Sequence, residues 1–395
     1  MSSEWKVRKI LYVHSGKRFL SSDGTIYGYD QDILISLKKR YLYLGADVKF
    51  VQFGVPLLKD KTADLINLYE NGIEVIPVKY CLTPWTYKFR KETKKKIFEV
   101  VQQSDIVIAR MPSLLAYFAQ EAAIKYGIPY IVEVVACPWD SLWNYSKATK
   151  LYAPFAFFKC KRCVAKSDYT LYVTNEFLQK RYPNSKKTCA ISDVILKESS
   201  GETLEKKISL LEKEKNKFII TTLAAIDVLY KGQHFVIKAI AQLKKKGYIF
   251  EYHLAGTGNP KRLMDVARKF GVNDHVVFEG MINSDQVIEL LDKTDIYVQP
   301  SLLEGLPRAI VEAMSRGCVV IGTNAGGIPE LIGENYIFSR GNVKAIESLL
   351  YKLVNNKELL IECSNYNFEK SKLFNNITLN NRRNQFYDLF IAKNF

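Results

Sequence analysis

IYVQPSLLEGLPRAIVEAMSRGCVVIGTNAGGIPELI, residues 296–332, carries strand, turn and helix signals in step with acidic residues at a meaningful spacing. Ile296–Gln299 is a short, apolar, β-branched run closed by Pro300 and reads as a buried strand end. The turn Glu304-Gly305-Leu306-Pro307 leads into 308–316, where Ile310, Val311, Ala313 and Met314 suit a packed helix and Gly317 ends it. A second buried strand follows at 318–323, then the small-residue turn 324–327, and Pro329-Glu330 opens the next helix. Glu304 stands before the first helix and Glu312 within it. Eight positions at about 1.5 Å of rise set them roughly 12 Å apart along the axis, near the span of a nucleotide sugar. The helix N-terminus between them has free N–H groups and the positive end of its dipole, and suits a diphosphate.

Working outward, further strand patterns fall at 6–13, 47–55, 72–78, 105–109, 130–135 and 169–174, and then at 217–226, 251–255 and 275–280. Helix-length segments separate them, which predicts α/β architecture with parallel, doubly wound sheets. At 395 residues the chain is too long for one ordinary core and fits two domains of about 200 residues. The first strand ends in His14-Ser15-Gly16, and Ser21-Ser22-Asp23-Gly24-Thr25 precedes a helix pattern over 29–44, so Gly16 is a candidate phosphate or acceptor contact. No G-x-G-x-x-G dinucleotide fingerprint is present. Arg110 (with Ser113) follows one strand, and Glu133, Trp139 and Asp140 (with Trp143 and Asn144) follow the next, where α/β folds place ligands; these are candidate acceptor residues. Gly256-Thr257-Gly258 is a turn that lets backbone approach a ligand.

The net charge is +16, and residues 1–200 carry most of it, with 31 Lys and Arg against 19 Asp and Glu. The first half therefore faces something anionic. No recognition helix, zinc finger or aromatic RNA-binding strand is evident, so nucleic acid is excluded as partner and a phospholipid surface is expected. Segments 81–98 and 147–166 interleave Trp85, Tyr87, Phe89, Tyr152, Phe155 and Phe158 with lysines and arginines, as the headgroup interface of an anionic membrane favours. No run of 18 apolar residues exists, and the charged lead MSSEWKVRKILYVHSG is unlike a signal peptide, so a cytoplasmic protein peripheral at the inner membrane face is expected. Seven scattered cysteines make no disulfide framework, and Cys160-x-x-Cys163 lacks a second pair or nearby histidines; no metal or cofactor is expected.

The pattern Pro300-Ser301, Glu304-x7-Glu312-Ala313-Met314, Gly317, Gly326-Gly327-x-Pro329-Glu330 resembles the donor-binding core of the family-4 retaining glycosyltransferases of GT-B fold. The resemblance is specific over about 217–340 and architectural over 1–200. It implies two Rossmann-like domains facing a cleft: an acceptor domain over 1–200, a nucleotide-sugar domain over 201–369, and a last helix in 370–395 crossing back. It implies that Glu304 lies by the donor sugar, that Glu312 binds the ribose hydroxyls, and that Lys231 points at the diphosphate. Gly305, Leu306, Gly326 and Gly327 would border the donor, and HVVFEG with Met281, including Phe278 and Gly280, would run along the base. Where the family carries an Arg after its first strand this chain has Ala225, which leaves fewer cations at the leaving group. Asp30-Gln31-Asp32 matches the D-x-D string of metal-dependent glycosyltransferases, yet at a helix start rather than after a strand it reads as chance.

The expected activity is retaining transfer of a hexose from a nucleotide-diphosphate sugar to a polyprenyl-diphosphate-linked glycan during bacterial capsule, exopolysaccharide or O-antigen assembly. A nucleotide-sugar epimerase of related fold and a non-catalytic nucleotide-binding assembly protein remain open alternatives.

Overall fold

A computed structural model describes residues 8–29, 33–57, 65–145 and 147–395. Asp30-Gln31-Asp32 lies outside these described residues.

The first domain is a nine-stranded sheet: β1 (Lys9–Leu20), β2 (Ile26–Tyr29), β3 (Asp47–Pro56), β4 (Leu65–Asn67), β5 (Glu74–Lys79), β6 (Ile106–Met111), β7 (Tyr130–Val134), β8 (Tyr169–Tyr172) and β9 (Lys187–Ala190). Its parallel path runs β5-β3-β1-β6-β7-β8-β9, with β2 and β4 added antiparallel beyond the end of β1. The second domain is a parallel six-stranded sheet in the order β12-β11-β10-β13-β14-β15, built from β10 (Lys217–Leu223), β11 (Ile249–Ala255), β12 (Val276–Gly280), β13 (Ile296–Gln299), β14 (Val319–Thr323) and β15 (Ile337–Phe338). Every residue of β6, β13 and β14 is buried, which is why these strands read as continuous apolar runs: helices cover both sheet faces. Strand order reverses between β1 and β6 in one sheet and between β10 and β13 in the other. At such points the carboxyl ends of neighbouring strands diverge and leave a crevice.

One sequence expectation needs correction. The first strand does not stop at Gly16 before a loop and helix; it continues to Leu20 and turns back into β2. A register shift between Val13 and Lys17 absorbs the extra residues as a bulge, after which β1 pairs with β3 again. The polar stretch Ser21-Ser22-Asp23-Gly24-Thr25 is the hairpin turn, closed by Ser21 N–H on the Thr25 carbonyl at 3.0 Å, with Gly24 at φ +88°. The helix Lys357–Ser371, absent from the expected elements, buries Leu360, Cys363 and Phe368 against the second domain.

Two further helices, one after the linker and one at the end of the described chain, complete the domains. The helix Gly201–Glu212 carries Lys207, which is 2% exposed and whose ammonium donates to the Leu291, Asp292 and Thr294 carbonyls at 2.8, 2.9 and 2.6 Å. The last helix, Asn376–Asn394, follows the second domain yet packs on the first. There Phe386 and Phe390 meet the Tyr169 ring edge-on, and the Tyr169 hydroxyl donates to the Leu389 carbonyl at 2.9 Å. Among the described residues no helix is long and apolar enough to cross a membrane.

Candidate active site

The stretch 296–332 folds as its sequence predicts: β13, a loop, the helix Arg308–Ser315, β14, and the short helix Ile328–Leu331. Ile310, Val311, Ala313 and Met314 are fully buried, so the helix is fixed by its inward face, and Glu312 projects from the side that borders the crevice. Gly326 holds the loop from behind. Its φ is +57° and a Cβ there would lie 2.0 Å from the Glu304 carbonyl, so only glycine fits, while the Gly327 N–H donates to the Gly305 carbonyl at 2.7 Å.

Glu304 lies at the centre of a hydrogen-bonded chain. Its Oε1 accepts from Lys231 Nζ at 2.7 Å and from Gln299 Nε2 at 3.0 Å. Gln299 in turn donates to Ser301 Oγ at 2.9 Å and accepts from the Tyr297 hydroxyl at 2.7 Å. Lys231 reaches Glu304 because Gly232 sits against the Pro300 carbonyl: a Cβ there would approach it to 2.1 Å, and φ is +76°. A lysine 73 positions upstream is thereby locked beside the carboxylate.

Lys231, Gln299 and Glu304 line a cavity of about 440 Å³ that also includes Ala225, Gly256, Thr257, Met281, Leu306, Arg308 and Glu312. Burial pushes the Glu312 carboxyl up, and the nearby Arg308 guanidinium acts in the opposite sense. Its carboxylate has no hydrogen-bond partner among the described residues, which leaves a desolvated acceptor facing open volume. No group of three or more His, Cys, Asp or Glu side chains suited to a metal ion occurs among the described residues.

Of the sequence candidates, the fold therefore gathers Lys231, Gly256, Met281, Glu304, Leu306 and Glu312 at one cavity. Gly16, Gly258, Phe278, Gly280, Gly305, Gly326 and Gly327 do not line it. Gly16 lies in the bulge of β1 against the Gln52 side chain, and Gly258 packs on Asp227. Phe278 is a half-buried core residue, and the remaining glycines shape turns and backbone approaches. Gln299 and Arg308 are site residues that the sequence reading passed over. A polar residue at the carboxyl end of a buried parallel strand was the available signal for the first.

The acceptor candidates split. Arg110 and Glu133 are 7% and 8% exposed and spend their charges internally. Arg110 donates to Glu133 at 2.9 Å and pairs with Asp193; Arg40 donates to Asp193 at 2.7 Å, and the Tyr41 hydroxyl to Glu133 at 2.8 Å. The two arginines hold the Asp193 carboxyl well below its usual range despite its burial. His14, largely buried near Arg110 and Arg18, is pushed down to about 3, chiefly by desolvation. Trp139 and Asp140 stand apart from this network, Trp139 stacked on Trp143 at 5.4 Å and Asp140 accepting from Arg181 at 3.2 Å. Cys160 and Cys163 are free thiols.

The two domains also meet directly across the cleft. Glu330 of the second domain accepts the backbone N–H groups of Asn175, Glu176 and Phe177 of the first, at 2.6, 3.1 and 2.6 Å. Gly305 lies so close to first-domain backbone that a Cβ would come within 2.3 Å of the Val135 carbonyl.

Two doubly wound domains facing a crevice are the GT-B architecture of glycosyltransferases. The chain belongs to the group 1 glycosyl transferase family, whose model matches residues 203–370. Protein CapJ of Staphylococcus aureus is 31% identical over 315 residues, spanning 76% of this chain and 78% of that one. The amylovoran biosynthesis glycosyltransferase AmsK of Erwinia amylovora is 33% identical over 133 residues, 31% of this chain and 33% of its own. Among solved structures, Anabaena Alr3699/HepE in complex with UDP and glucose superposes with a TM-score of 0.67 at 17% identity, over 95% of this chain and 97% of that one. The chain is thus a glycosyltransferase.

Proposed function

We propose that the chain transfers a hexose from a nucleotide-diphosphate sugar to a glycan acceptor with retention of anomeric configuration. The observation that carries this reading is the Lys231–Glu304 pair at the N-terminal end of the helix Arg308–Ser315, with the unsatisfied Glu312 carboxylate in the same cavity. Glu312 takes the ribose hydroxyls, the diphosphate lies over the helix N-terminus near Leu306, and the sugar rests beside Glu304. Such a reaction needs stabilisation of developing charge on the leaving phosphate more than a strong base, and Lys231 and the oriented amides supply it. No metal is required, because those groups offset the leaving charge. Glu304, held by Lys231 and Gln299, orients sugar hydroxyls rather than attacking. The acceptor hydroxyl gives its proton to the departing phosphate oxygen, so bond making and breaking share one face of the sugar and the configuration is retained.

In this reading the acceptor is a polyprenyl-diphosphate-linked glycan at an anionic membrane, in capsule or exopolysaccharide synthesis. The AmsK name supports a polysaccharide product. The surface supports a membrane: Leu151, Tyr152, Phe155 and Phe158 form one exposed stripe along the helix Lys147–Lys166. Lys159 of that helix lies over Tyr117, while Arg90 and Lys94 of the other basic segment lie over the adjacent Phe118, so both segments flank one face.

The test is thermal stabilisation by UDP, GDP, ADP, CMP and their common sugars in the wild type and Glu312→Ala. One base should stabilise by about 2.7 kcal/mol at a hundred times its Kd, and the variant should lose the effect. The absence of stabilisation by every nucleotide would refute the donor assignment. For the membrane, Leu151→Ser with Phe158→Ser should reduce sedimentation with phosphatidylglycerol vesicles; unchanged sedimentation would remove this face from the reading.

A further inference from the structure

We propose that Arg308 is the residue that grips the donor diphosphate in this chain, replacing a cation that position 225 does not supply. This rests on the nucleotide-sugar reading above. Four charged side chains line the cavity: Lys231 and Arg308 against Glu304 and Glu312. Lys231 is already committed, since its ammonium sits 2.7 Å from Glu304 Oε1. The wall where β10 ends contributes Leu223, Ala224 and Ala225, none of them charged, and the Ala225 carbonyl accepts from Gln233. An incoming diphosphate would meet Lys231, which shares its charge with Glu304, and, among the described residues lining the cavity, one cation without an ion pair. That cation is Arg308, which is exposed and has no ion-pair partner among the described residues.

Its position fits the task. Arg308 opens the helix and precedes Glu312 by four residues, so the two share a helix side, separated by about 6 Å of rise. With Glu312 on the ribose, the group one turn nearer the helix N-terminus faces the phosphates. A cation at that end also opposes the helix dipole, and no acidic residue occupies the first turn to relieve it. The arrangement is electrostatically incomplete until an anion arrives between the guanidinium and the amides. Arg308 also borders the adjoining cavity lined by Ile35, Ile195 and Ile288, which gives its side chain room to swing onto the ligand. A guanidinium can meet two phosphate oxygens at once, which an ammonium does not do.

The experiment compares binding of UDP, UMP, GDP and GMP by calorimetry to the wild type and to Arg308→Ala, Arg308→Lys, Glu312→Ala and the double variant Ala225→Arg with Arg308→Ala. The proposal expects Arg308→Ala to weaken the preferred diphosphate about 10- to 100-fold and its monophosphate much less. Arg308→Lys should recover part of the loss, and adding Ala225→Arg should recover more. Wild-type affinity for the diphosphate in Arg308→Ala, or equal loss of diphosphate and monophosphate, would overturn it. Glu312→Ala separates the two claims, because it should weaken both nucleotides alike. A wild-type protein that binds none of these four, and neither ADP nor CMP, would overturn the donor reading and this inference with it.

Discussion

Replacing Glu330 by alanine tests whether the bridge across the cleft governs catalysis. The carboxylate accepts three backbone N–H groups from the other domain, at 2.6, 3.1 and 2.6 Å. Hydrogen bonds to a charged group contribute about 1.5–3 kcal/mol when water is excluded. Asn175 and Glu176 are exposed, so water replaces part of what is lost, and roughly 1 kcal/mol per bond is the sounder figure. The closed arrangement should then lose about 2–4 kcal/mol relative to an open one, a change of roughly 30- to 700-fold in their ratio. Small-angle scattering should report a larger radius of gyration for Glu330→Ala, and steady-state kinetics a raised donor KM with a lowered kcat. Glu330→Gln keeps an acceptor oxygen without the charge and should fall between. The melting temperature of each domain should move little, since the bonds lie between domains. A scattering curve and a donor KM both equal to wild type would refute the reasoning.

Three further outcomes follow from the same geometry. Gly305→Ala would place a Cβ 2.3 Å from the Val135 carbonyl, both partners being backbone, so the domains must part; turnover should fall about 100-fold with little change in melting temperature, and wild-type turnover would show that this approach is irrelevant to chemistry. Lys207→Met removes the donor for three carbonyls and should cost about 3 kcal/mol, read as a lower denaturant midpoint with unchanged slope; an unshifted midpoint would contradict this. His14 has its pKa depressed from 6.5 to about 3. Below pH 6.5 the unfolded chain takes up a proton that the folded chain refuses, so stability is lost as pH falls. From pH 7 to 5 the loss from this residue is about 2 kcal/mol, and His14→Gln should flatten the stability profile by that amount; a profile equally steep in the variant would exclude His14 as its source.

The second domain was the more legible because its chemistry is concentrated within one βαβ unit. Glu304, Leu306, Arg308 and Glu312 fall within nine residues, so strand period, turn and helix signals fix their mutual placement. Lys231 was reached only through family resemblance, since nothing local shows that Gly232 will tuck beneath Pro300. The first domain shows the opposite limit. Arg110 and Glu133 stand at strand ends, as ligand-binding residues do, but what neutralises them is Asp193, 83 positions after Arg110 in an extended linker. Local pattern carries no information on a charge pair closed over that distance. The bulge in β1 escaped for a related reason: the apolar run Ile10–Val13 gives way to the polar stretch 14–18, which reads as a strand end, and only pairing with β3 reveals that the strand resumes.

The return of the last helix to the first domain bears on how the protein is made. Tyr43 and Tyr169 have their hydroxyl partners at Asp388 and Leu389, and Tyr387 fills a fully buried position beside the first sheet. While the ribosome is still synthesising the second domain, the first is therefore missing a wall, with the apolar faces around Tyr169 open to water. Synthesis must approach residue 390 before that surface can be covered. Ribosome-bound chains stalled before residue 376 should accordingly engage holding chaperones through the first domain, and a co-expressed peptide of the last helix should relieve that dependence.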